Sequence, residues 1–245
     1  MRGRRRNTKD PAYLITLKAY VAEILKKHDL FFYPEGGRSY SGELKPAKTG
    51  LLHAALNAGR RDLVIIPTAI SYDLVLEDHI LARQGVKKTQ RPFRREVAEM
   101  VRYAVGYQSR AFVTFGKPIP LTGWTADTRR DVMDLAKLVH DTIGHLYKVL
   151  PTAVLAAAMR PSIAQRDLEQ RAEEIIGILR AAGANLGVRS GREAVELGTP
   201  PLADRGIIHV ERGGVFRVRE RTVLRYYGRT LQHLLTGPRR TPRTH

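Results

Sequence analysis

Apolar runs and amphipathic segments follow one another over the first 150 residues. Residues 11–27 begin with a proline and carry apolar side chains at three- and four-residue spacing, which predicts a helix. Phe31–Tyr33 predict a short strand, and the apolar run 64–73 is typical of a strand buried on both faces. Further elements are predicted as follows: a helix at 49–61 that ends near Gly59, a helix and turn at 77–85, a strand at 110–121, and a helix at 125–150 capped by Thr125 or Asp127. This alternation favours an α/β layer architecture.

The pattern changes at Pro151. Residues 162–186 predict an amphipathic helix with Ser162 as its N-cap, and residues 191–198 predict a short helical turn. Residues 206–221 predict a β-hairpin around Arg212–Gly214, and residues 222–235 predict a final helix. We therefore expect one domain over 1–150 and a mostly helical extension over 151–245.

The net charge of the chain indicates which classes of partner it attracts. There are 42 Lys and Arg residues against 24 Asp and Glu, a formal net charge of +18. Such a surface attracts nucleic acid, anionic lipid headgroups or phosphorylated substrates. The absence of cysteine excludes disulfides and thiolate metal sites and is compatible with a reducing compartment. No apolar run reaches the ~20 residues that span a bilayer, so any membrane contact is expected to be peripheral.

The candidate chemistry lies in the segment FFYPEGGRSYSGELKPAKTG, which follows the predicted strand at Phe31–Tyr33. Ligands bind at the carboxyl edge of open α/β sheets, and such a strand would deliver the segment to that edge. Glycines let a backbone approach a ligand, a carboxylate accepts hydroxyl hydrogen bonds, and guanidinium or ammonium groups bind phosphate. The candidate residues are Glu35, Gly36, Gly37, Arg38, Ser39 and Lys48. The set suits a small phosphorylated alcohol, although Pro-Glu-Gly-Gly alone is also typical of a simple turn.

The segment YPEGGRSYSGELKPAKTGLL resembles the third sequence block of the glycerolipid acyltransferases, the superfamily of glycerol-3-phosphate and lysophosphatidic acid acyltransferases, and it is most similar to the glycerol-3-phosphate branch. VIIPTAISYD resembles the fourth block, and TFGKPIPL resembles a later Gly-x-Pro-Ile strand. VLRYYGRTLQHLL resembles the last helix of the larger members. The resemblance implies an incomplete acyltransferase-like mixed sheet flanked by helices, followed by a mostly helical extension with a small hairpin.

The resemblance also implies residue roles. Glu35, Gly36 and Arg38 would line the acceptor site, with Arg38 on the phosphate. Pro67 would shape the floor near the acyl thioester, and an arginine among Arg4, Arg5 and Arg6 would also reach the phosphate. The glycerol-3-phosphate branch commonly has Arg-x-Arg where this chain has Arg38-Ser39-Tyr40. Either Lys48 or an N-terminal arginine compensates for the lost guanidinium, or the acceptor differs from glycerol 3-phosphate.

The catalytic element of the family has no counterpart in the sequence. Its His-x-x-x-x-Asp block supplies the histidine that activates the acceptor hydroxyl, and none of the eight histidines is followed by Asp at that spacing. His28–Asp29 and His140–Asp141 are adjacent pairs, which do not share one helical face, so we expect ordinary surface residues there. We therefore expect an amino-terminally truncated chain that has no catalytic residue and is inactive by itself.

The expected partners are acyl-CoA or acyl carrier protein as donor, a phosphorylated glycerol as acceptor, and an anionic membrane surface on its cytoplasmic side. No metal or cofactor is expected. One alternative is a non-catalytic protein that binds lipid headgroups or another partner. Another follows from residues 162–235, whose order of helices and hairpin is similar to that of a winged-helix nucleic-acid binder. Arginines in that region are interleaved with Asp and Glu, so nucleic-acid binding is not expected.

Overall fold

The predicted alternation of helices and strands is present in the computed structural model, which describes residues 10–37, 39–60, 62–75, 77–84 and 109–236. The architecture is mixed α/β. The helices are α1 Pro11–Leu25, α2 Gly50–Leu56, α3 Asp78–Gln84, α4 Arg129–Leu146, α5 Pro151–Ala158, α6 Gln165–Ala181, α7 Gly191–Asp204, α8 Arg221–Arg229 and α9 Gln232–Leu235. The strands are β1 Val64–Ile65, β2 Thr68–Tyr72, β3 Ala111–Phe115, β4 Ile119–Pro120, β5 Lys148–Val149, β6 Ser162–Ala164, β7 Asn185–Leu186, β8 Ile208–Glu211 and β9 Val215–Val218.

The described strands form four small sheets. β1 pairs with β4 and β2 pairs with β3, both antiparallel, whereas β5 and β7 are parallel. The largest sheet is antiparallel and has the order β6-β9-β8. Among the described residues, the mixed sheet that the sequence predicts is therefore divided into short pieces.

Two of the predicted strands differ from the structure. Phe31–Tyr33 do not form a strand, and none of the described strands pairs with them. The side chains of Phe31 and Tyr33 are 67% and 65% exposed and stack edge to face, with ring centroids 5.3 Å apart. The run 64–73 is two strands rather than one, since Pro67 has no N–H to donate to a ladder. It is not buried on both faces, because Val64 and Ile66 are 49% and 55% exposed.

Two helices, α1 and α4, begin at residues whose side chains accept hydrogen bonds from the first turn. At α1, the carboxylate of Asp10 accepts a hydrogen bond from the Ala12 N–H at 3.0 Å, and Pro11 occupies the first turn. At α4, the Asp131 N–H donates to Thr128 Oγ1 at 3.1 Å. The predicted caps Thr125 and Asp127 instead hydrogen-bond to each other at 2.6 Å, so the helix begins later than predicted.

The chain divides into two compact units. The first contains the described residues of 1–38, 45–67 and 116–143. It has two small apolar clusters. One joins α1 and α2 through Val21, Leu25, Ala54 and Ala58. The other consists of Leu121, Leu135 and Val139, against which the single tryptophan of the chain, Trp124, packs.

The second unit contains the described residues of 39–44, 68–115 and 144–245, and it has one continuous core. Leu168, Ala172, Ile176 and Leu179 of α6 are fully buried, as the predicted apolar stripe requires. At the crossing of α6 and α7, a Cβ on Gly191 would lie 2.1 Å from the Glu169 carbonyl oxygen. Only glycine fits this contact.

A charged network is also buried in the second unit. Asp78 is fully buried, and its carboxylate is bonded by the Arg205 guanidinium and by the Tyr227 hydroxyl, the latter at 2.6 Å. The Val75 N–H donates to the same hydroxyl at 3.0 Å. Burial, followed by the nearby Asp78, raises the pKa of Tyr227 well above its ordinary value. The network ties α3 to the end of α7 and to α8.

The carboxyl-terminal elements differ from the predictions at two places. Ser162 is in strand β6 and not a helix cap, because residues 162–164 pair with β9. The predicted turn at 191–198 is the full helix α7, which continues through Pro200 and Pro201. The predicted hairpin is confirmed as β8 and β9. The chain order here is α5-β6-α6-β7-α7-β8-β9 with a β6-β9-β8 sheet, an order similar to that of a winged-helix module. The predicted boundary near residue 150 stays a prediction.

Candidate functional site

The segment 34–48 is a loop closed at its base. The Lys48 N–H donates to the Pro34 carbonyl oxygen at 2.8 Å, and the Gly36 N–H donates to the Tyr33 carbonyl oxygen at 2.9 Å. The first bond brings the start and the end of the loop together within the first unit, and the second closes a turn at its start. We call residues 34–37 and 45–48 the loop base.

Gly36 gives the loop base its shape. Its φ is +69°, in the left-handed region that favours glycine. A Cβ at this position would lie 2.8 Å from Lys48 Cδ and 2.9 Å from Lys48 Nζ. The ammonium group of Lys48 therefore lies directly against the Gly36 backbone. A Cβ on Gly37 would have no neighbour within 4 Å, so the backbone there is open to a ligand.

Glu35 is the carboxylate of the loop base, and it is half-buried. Burial raises its pKa above the ordinary value, although the Lys45 backbone N–H, which donates to the carboxylate, and the charges of Lys45 and His140 oppose the rise. The carboxylate is thus held by one backbone donor, the Lys45 N–H. This arrangement leaves it able to accept a further hydrogen bond from a hydroxyl group.

The tip of the loop, residues 39–44, belongs to the second unit. The Ser39 hydroxyl donates to the Glu43 carbonyl oxygen at 2.8 Å, so it is already used within the tip. Gly42 has a φ of +84°, and a Cβ there would lie 2.0 Å from the Tyr226 carbonyl oxygen. Glu43 also forms an ion pair with Arg229 of α8 at 3.5 Å. The tip is therefore tightly fixed to α8.

The other predicted site residues divide into two groups. Pro67 is buried, and its carbonyl oxygen accepts the Gly116 N–H at 2.8 Å. Arg38, Arg4, Arg5 and Arg6 lie outside the described residues. Within the loop base, the structure brings together Glu35, Gly36, Gly37 and Lys48.

The sequence predicts an ordinary surface residue at His140, but the structure has it partly buried. Its Nδ1 is 3.1 Å from Asp141 Oδ1, although adjacent helical residues were expected to diverge. Its Nε2 is shielded from solvent and has no hydrogen-bond partner among the described residues. The adjacent His-Asp pair is visible in the sequence, whereas the burial of Nε2 depends on tertiary packing that no local spacing shows.

The described residues contain no group of three or more His, Asp or Glu side chains that could hold a metal ion. No helix formed by these residues is long and apolar enough to cross a membrane. The loop base contains one carboxylate, that of Glu35, the two lysines Lys45 and Lys48, and an open glycine backbone at Gly37.

Comparisons with known proteins relate the chain to acyltransferases. Residues 3–71 match the family model described as Acyltransferase. Over 218 residues, the chain is 28% identical to the putative acyltransferase plsB1 of Mycobacterium tuberculosis, a match that covers 83% of this chain and 34% of that protein. A glycerol-3-phosphate acyltransferase of Pseudoalteromonas atlantica is 24% identical, with coverages of 92% and 32%. One of Aeromonas hydrophila is 31% identical over 47% of this chain and 15% of that protein. The chain thus spans about a third of the length of the first two relatives.

Proposed function

Because the chain belongs to the glycerolipid acyltransferase superfamily, in the branch that is similar to glycerol-3-phosphate acyltransferases, we propose that its loop base binds the phosphorylated glycerol acceptor of an acyl transfer. The donor would be acyl-CoA or acyl carrier protein, and the product would enter phospholipid synthesis. The acceptor of the complete reaction is glycerol 3-phosphate or a closely related phosphorylated glycerol.

One observation carries the proposal: the Lys48 ammonium lies against the backbone of Gly36, a glycine held at positive φ. A cation beside an open glycine backbone is a suitable position for a phosphate, because the ammonium group attracts the anion and no Cβ blocks its approach. Glu35, held by the Lys45 N–H, supplies an acceptor for a hydroxyl of the same ligand. Phosphate and hydroxyl are the two features of a glycerol phosphate.

Each residue then has a role in binding. Lys48 and Arg38 bind the phosphate, and Gly36 and Gly37 allow its approach. Glu35 orients a hydroxyl, and Pro67 shapes the floor near the acyl group. Arg5 and Arg6 add positive charge to the phosphate site. Ser39 supports the loop, since its hydroxyl donates to Glu43.

These residues bind the acceptor but do not activate its hydroxyl. Acyl transfer needs a base to remove the hydroxyl proton as the oxygen attacks the thioester carbonyl. The sequence contains no His-x-x-x-x-Asp arrangement, so we propose that the 245-residue chain binds acceptor without turning it over. An acyl transfer assay with acyl-CoA and with acyl carrier protein tests this. Turnover well above background would contradict it.

Calorimetric titration of the purified chain with glycerol 3-phosphate tests the binding site. We expect saturable binding that glycerol alone does not reproduce, and a loss of about ten-fold in affinity for Lys48→Met, because a charge-assisted hydrogen bond contributes about 1.5–3 kcal/mol. Lys117→Met is the matched control, since Lys117 is an exposed lysine of the same unit outside the loop. Equal losses in both variants, or no binding by the unchanged chain, would contradict the proposal. Inorganic phosphate as competitor shows how much of the affinity belongs to the phosphate.

The net charge of +18 supports a second element of the proposal, a peripheral contact with an anionic membrane. Exposed Arg221 and Arg225 lie one turn apart on α8 and supply positive charge in the described part of the chain. Cosedimentation with vesicles that contain anionic phospholipid tests this contact. Equal binding to neutral vesicles would contradict it.

The order of elements in the carboxyl-terminal region favours nucleic-acid binding as a second candidate function. In a winged-helix module, α7 would be the helix that enters the major groove. This helix carries one basic residue, Arg192, against Glu193, Glu196 and Asp204. Phosphates repel such a helix, so the acceptor-binding function is favoured. A gel-shift experiment at physiological salt separates the two functions, because a retained DNA complex would support the second.

A further inference from the structure

The antiparallel sheet β6-β9-β8 has two different faces. One face contributes to the core of the second unit with Ile163, Ile208 and Phe216. On the other face, β9 places Arg217 between Ser162 of β6 and His209 of β8, and all three side chains are exposed. Because side chains alternate along a strand, this second face carries polar residues from all three strands and faces solvent.

The polar face extends beyond the paired strands. The Arg219 N–H donates to the Ile207 carbonyl oxygen at 2.9 Å, so the pairing of β8 and β9 continues past the strand ends. Arg219 follows Arg217 by two residues, and Arg160 precedes Ser162 by two residues, so both arginines continue the alternation onto this face. We call the following residues the sheet face: Arg160, Ser162, His209, Glu211, Arg217 and Arg219.

The sheet face is basic, and its positive charges are only partly paired. Arg217 donates to the Glu211 carboxylate, and the arginine side chain is still 51% exposed. Arg160 and Arg219 are exposed, and neither forms an ion pair within the part of the chain that the structure describes. Arg212, in the turn between β8 and β9, is one more exposed arginine beside the face. The sheet face therefore has guanidinium groups available to an anionic partner.

Two helices of the same unit have the opposite charge. α6 carries four acidic residues against three arginines, and α7 carries three acidic residues against one arginine. Charge is thus separated within the second unit, with an excess of arginine on the sheet face and an excess of carboxylate on α6 and α7. An extended anionic surface attracts the first and repels the second, so the charges favour one orientation of the unit on such a surface.

We propose that the sheet face is the surface with which the second unit contacts an anionic phospholipid bilayer. The inference rests on the membrane contact in the proposed function, and it names the surface that makes this contact. Guanidinium groups bind the phosphates of lipid headgroups through parallel N–H donors. A bilayer presents these phosphates in a plane, so the arginines of one sheet reach them together. Double-stranded DNA also presents phosphates, but a winged-helix module would place the acidic helix α7 against it.

Vesicle cosedimentation of the double variant Arg160→Gln/Arg219→Gln tests this surface. The vesicles contain phosphatidylglycerol and phosphatidylcholine, and the salt concentration is physiological. We expect binding about twenty-fold weaker than that of the unchanged chain, because each basic residue near an anionic bilayer changes the affinity about five-fold. Both side chains are exposed, so we expect the unfolding midpoint in denaturant to stay the same.

Arg180→Gln/Arg189→Gln is the matched control. It removes the same two charges from exposed positions at the end of α6 and in the segment before α7. We expect less than about a two-fold change in vesicle binding, since salt screens charges that lie far from the membrane. Equal losses in the two double variants would overturn the inference. Unchanged binding by the sheet-face variant would also overturn it, and the membrane contact would then lie elsewhere on the chain. If the unchanged chain does not bind anionic vesicles, the proposed membrane contact fails as well.

A second measurement locates the bilayer without relying on affinity. The chain has no cysteine, so Ser162→Cys on the sheet face and Ala181→Cys at the end of α6 each provide one position for a nitroxide spin label. On anionic vesicles, we expect the label at residue 162 to become less accessible to a water-soluble nickel complex. The label at residue 181 should stay as accessible as in solution. Equal protection of both positions, or no protection at residue 162, would overturn the inference.

Nucleic acid is the alternative partner for the same arginines. A gel-shift experiment with a short DNA duplex at physiological salt separates the two partners, and we expect no retained complex. If the unchanged chain retained the duplex and Arg160→Gln/Arg219→Gln released it, the sheet face would be a nucleic-acid surface. That result would overturn the assignment to a membrane.

Discussion

The loop base of the first unit and the α6–α8 region of the second unit use glycine and buried charge in opposite ways. In the second unit, Gly191 lets two helices touch, and the buried carboxylate of Asp78 is satisfied by Arg205 and Tyr227. In the loop base, Gly36 lies against a flexible lysine side chain, and Glu35 is half-buried and held by one backbone donor. The first arrangement is complete without a ligand, and the second retains acceptors and donors that a ligand can use.

This difference separates residues that stabilise the fold from residues that bind. Substitutions in the α6–α8 region should lower the free energy of unfolding and leave the affinity of the folded chain unchanged. Substitutions in the loop base should lower the affinity with little loss of stability. The free energy of unfolding and the affinity for glycerol 3-phosphate, measured on the same variant, distinguish the two kinds of residue.

The largest expected effect is that of Asp78→Ala. The substitution leaves the Arg205 guanidinium, which is 4% exposed, without its carboxylate. Breaking a buried ion pair by removing one partner costs about 3–5 kcal/mol. Denaturant unfolding measures the loss, and Asp204→Ala on the exposed surface of α7 is the control, for which we expect little change. A loss below about 1 kcal/mol for Asp78→Ala would show that the network does not stabilise the second unit.

The next effect is that of Gly191→Ala. A methyl group would lie 2.1 Å from the Glu169 carbonyl oxygen and 2.6 Å from the Glu173 nitrogen, and a helix backbone yields little. We expect a loss of about 3 kcal/mol in the free energy of unfolding. Gly177→Ala in the interior of α6 is the matched control, because its methyl group meets nothing within 4 Å. There we expect a gain of about 0.5–1 kcal/mol, and the same sign of change in both variants would contradict the close crossing.

Gly36→Ala tests the loop base. The methyl group would displace the Lys48 ammonium, and a φ of +69° is strained for alanine. We expect a loss of about 1 kcal/mol in stability and about ten-fold in affinity for glycerol 3-phosphate. Gly37→Ala controls for stability, since open space surrounds that position. If Gly36→Ala bound the ligand as tightly as the unchanged chain, the position of Lys48 would not matter for binding.

The smallest expected effect on stability, and one of opposite sign, is that of Glu35→Gln. Burial raises the pKa of Glu35 in the folded chain, so the protonated form is favoured there. The stability that this raised pKa contributes is present below the pKa of Glu35 in the unfolded chain. It is lost as the pH rises through the pKa of Glu35 in the folded chain. We therefore expect the glutamine variant to melt slightly higher than the unchanged chain at neutral pH, yet to bind acceptor more weakly. At acid pH, where Glu35 is protonated, we expect the variant and the unchanged chain to melt at the same temperature. A lower melting temperature of the variant at neutral pH would contradict the prediction.

Local patterns predicted most helices, because three- and four-residue spacing, Pro11 and the stripe at Leu168–Leu179 are properties of single segments. Local patterns gave wrong predictions where strand pairing between distant segments determines the secondary structure. Phe31–Tyr33 have strand-forming side chains but no partner strand, and Ser162 begins a strand because β9 lies beside it. The same limit applies to the site. The residue types at 35–38 pointed to the loop, whereas the position of Lys48 and the burial of His140 required the folded chain.

The position of Trp124 provides an optical probe of one unit. The chain has a single tryptophan, and it packs against Leu121, Leu135 and Val139 in the unit that holds the loop base. Its fluorescence will therefore follow the melting of the first unit, whereas calorimetry records the heat absorbed by the whole chain. If the two units melt at different temperatures, the emission change will coincide with only one of two heat-absorption peaks. The substitutions at Asp78 and Gly191 should move the other peak.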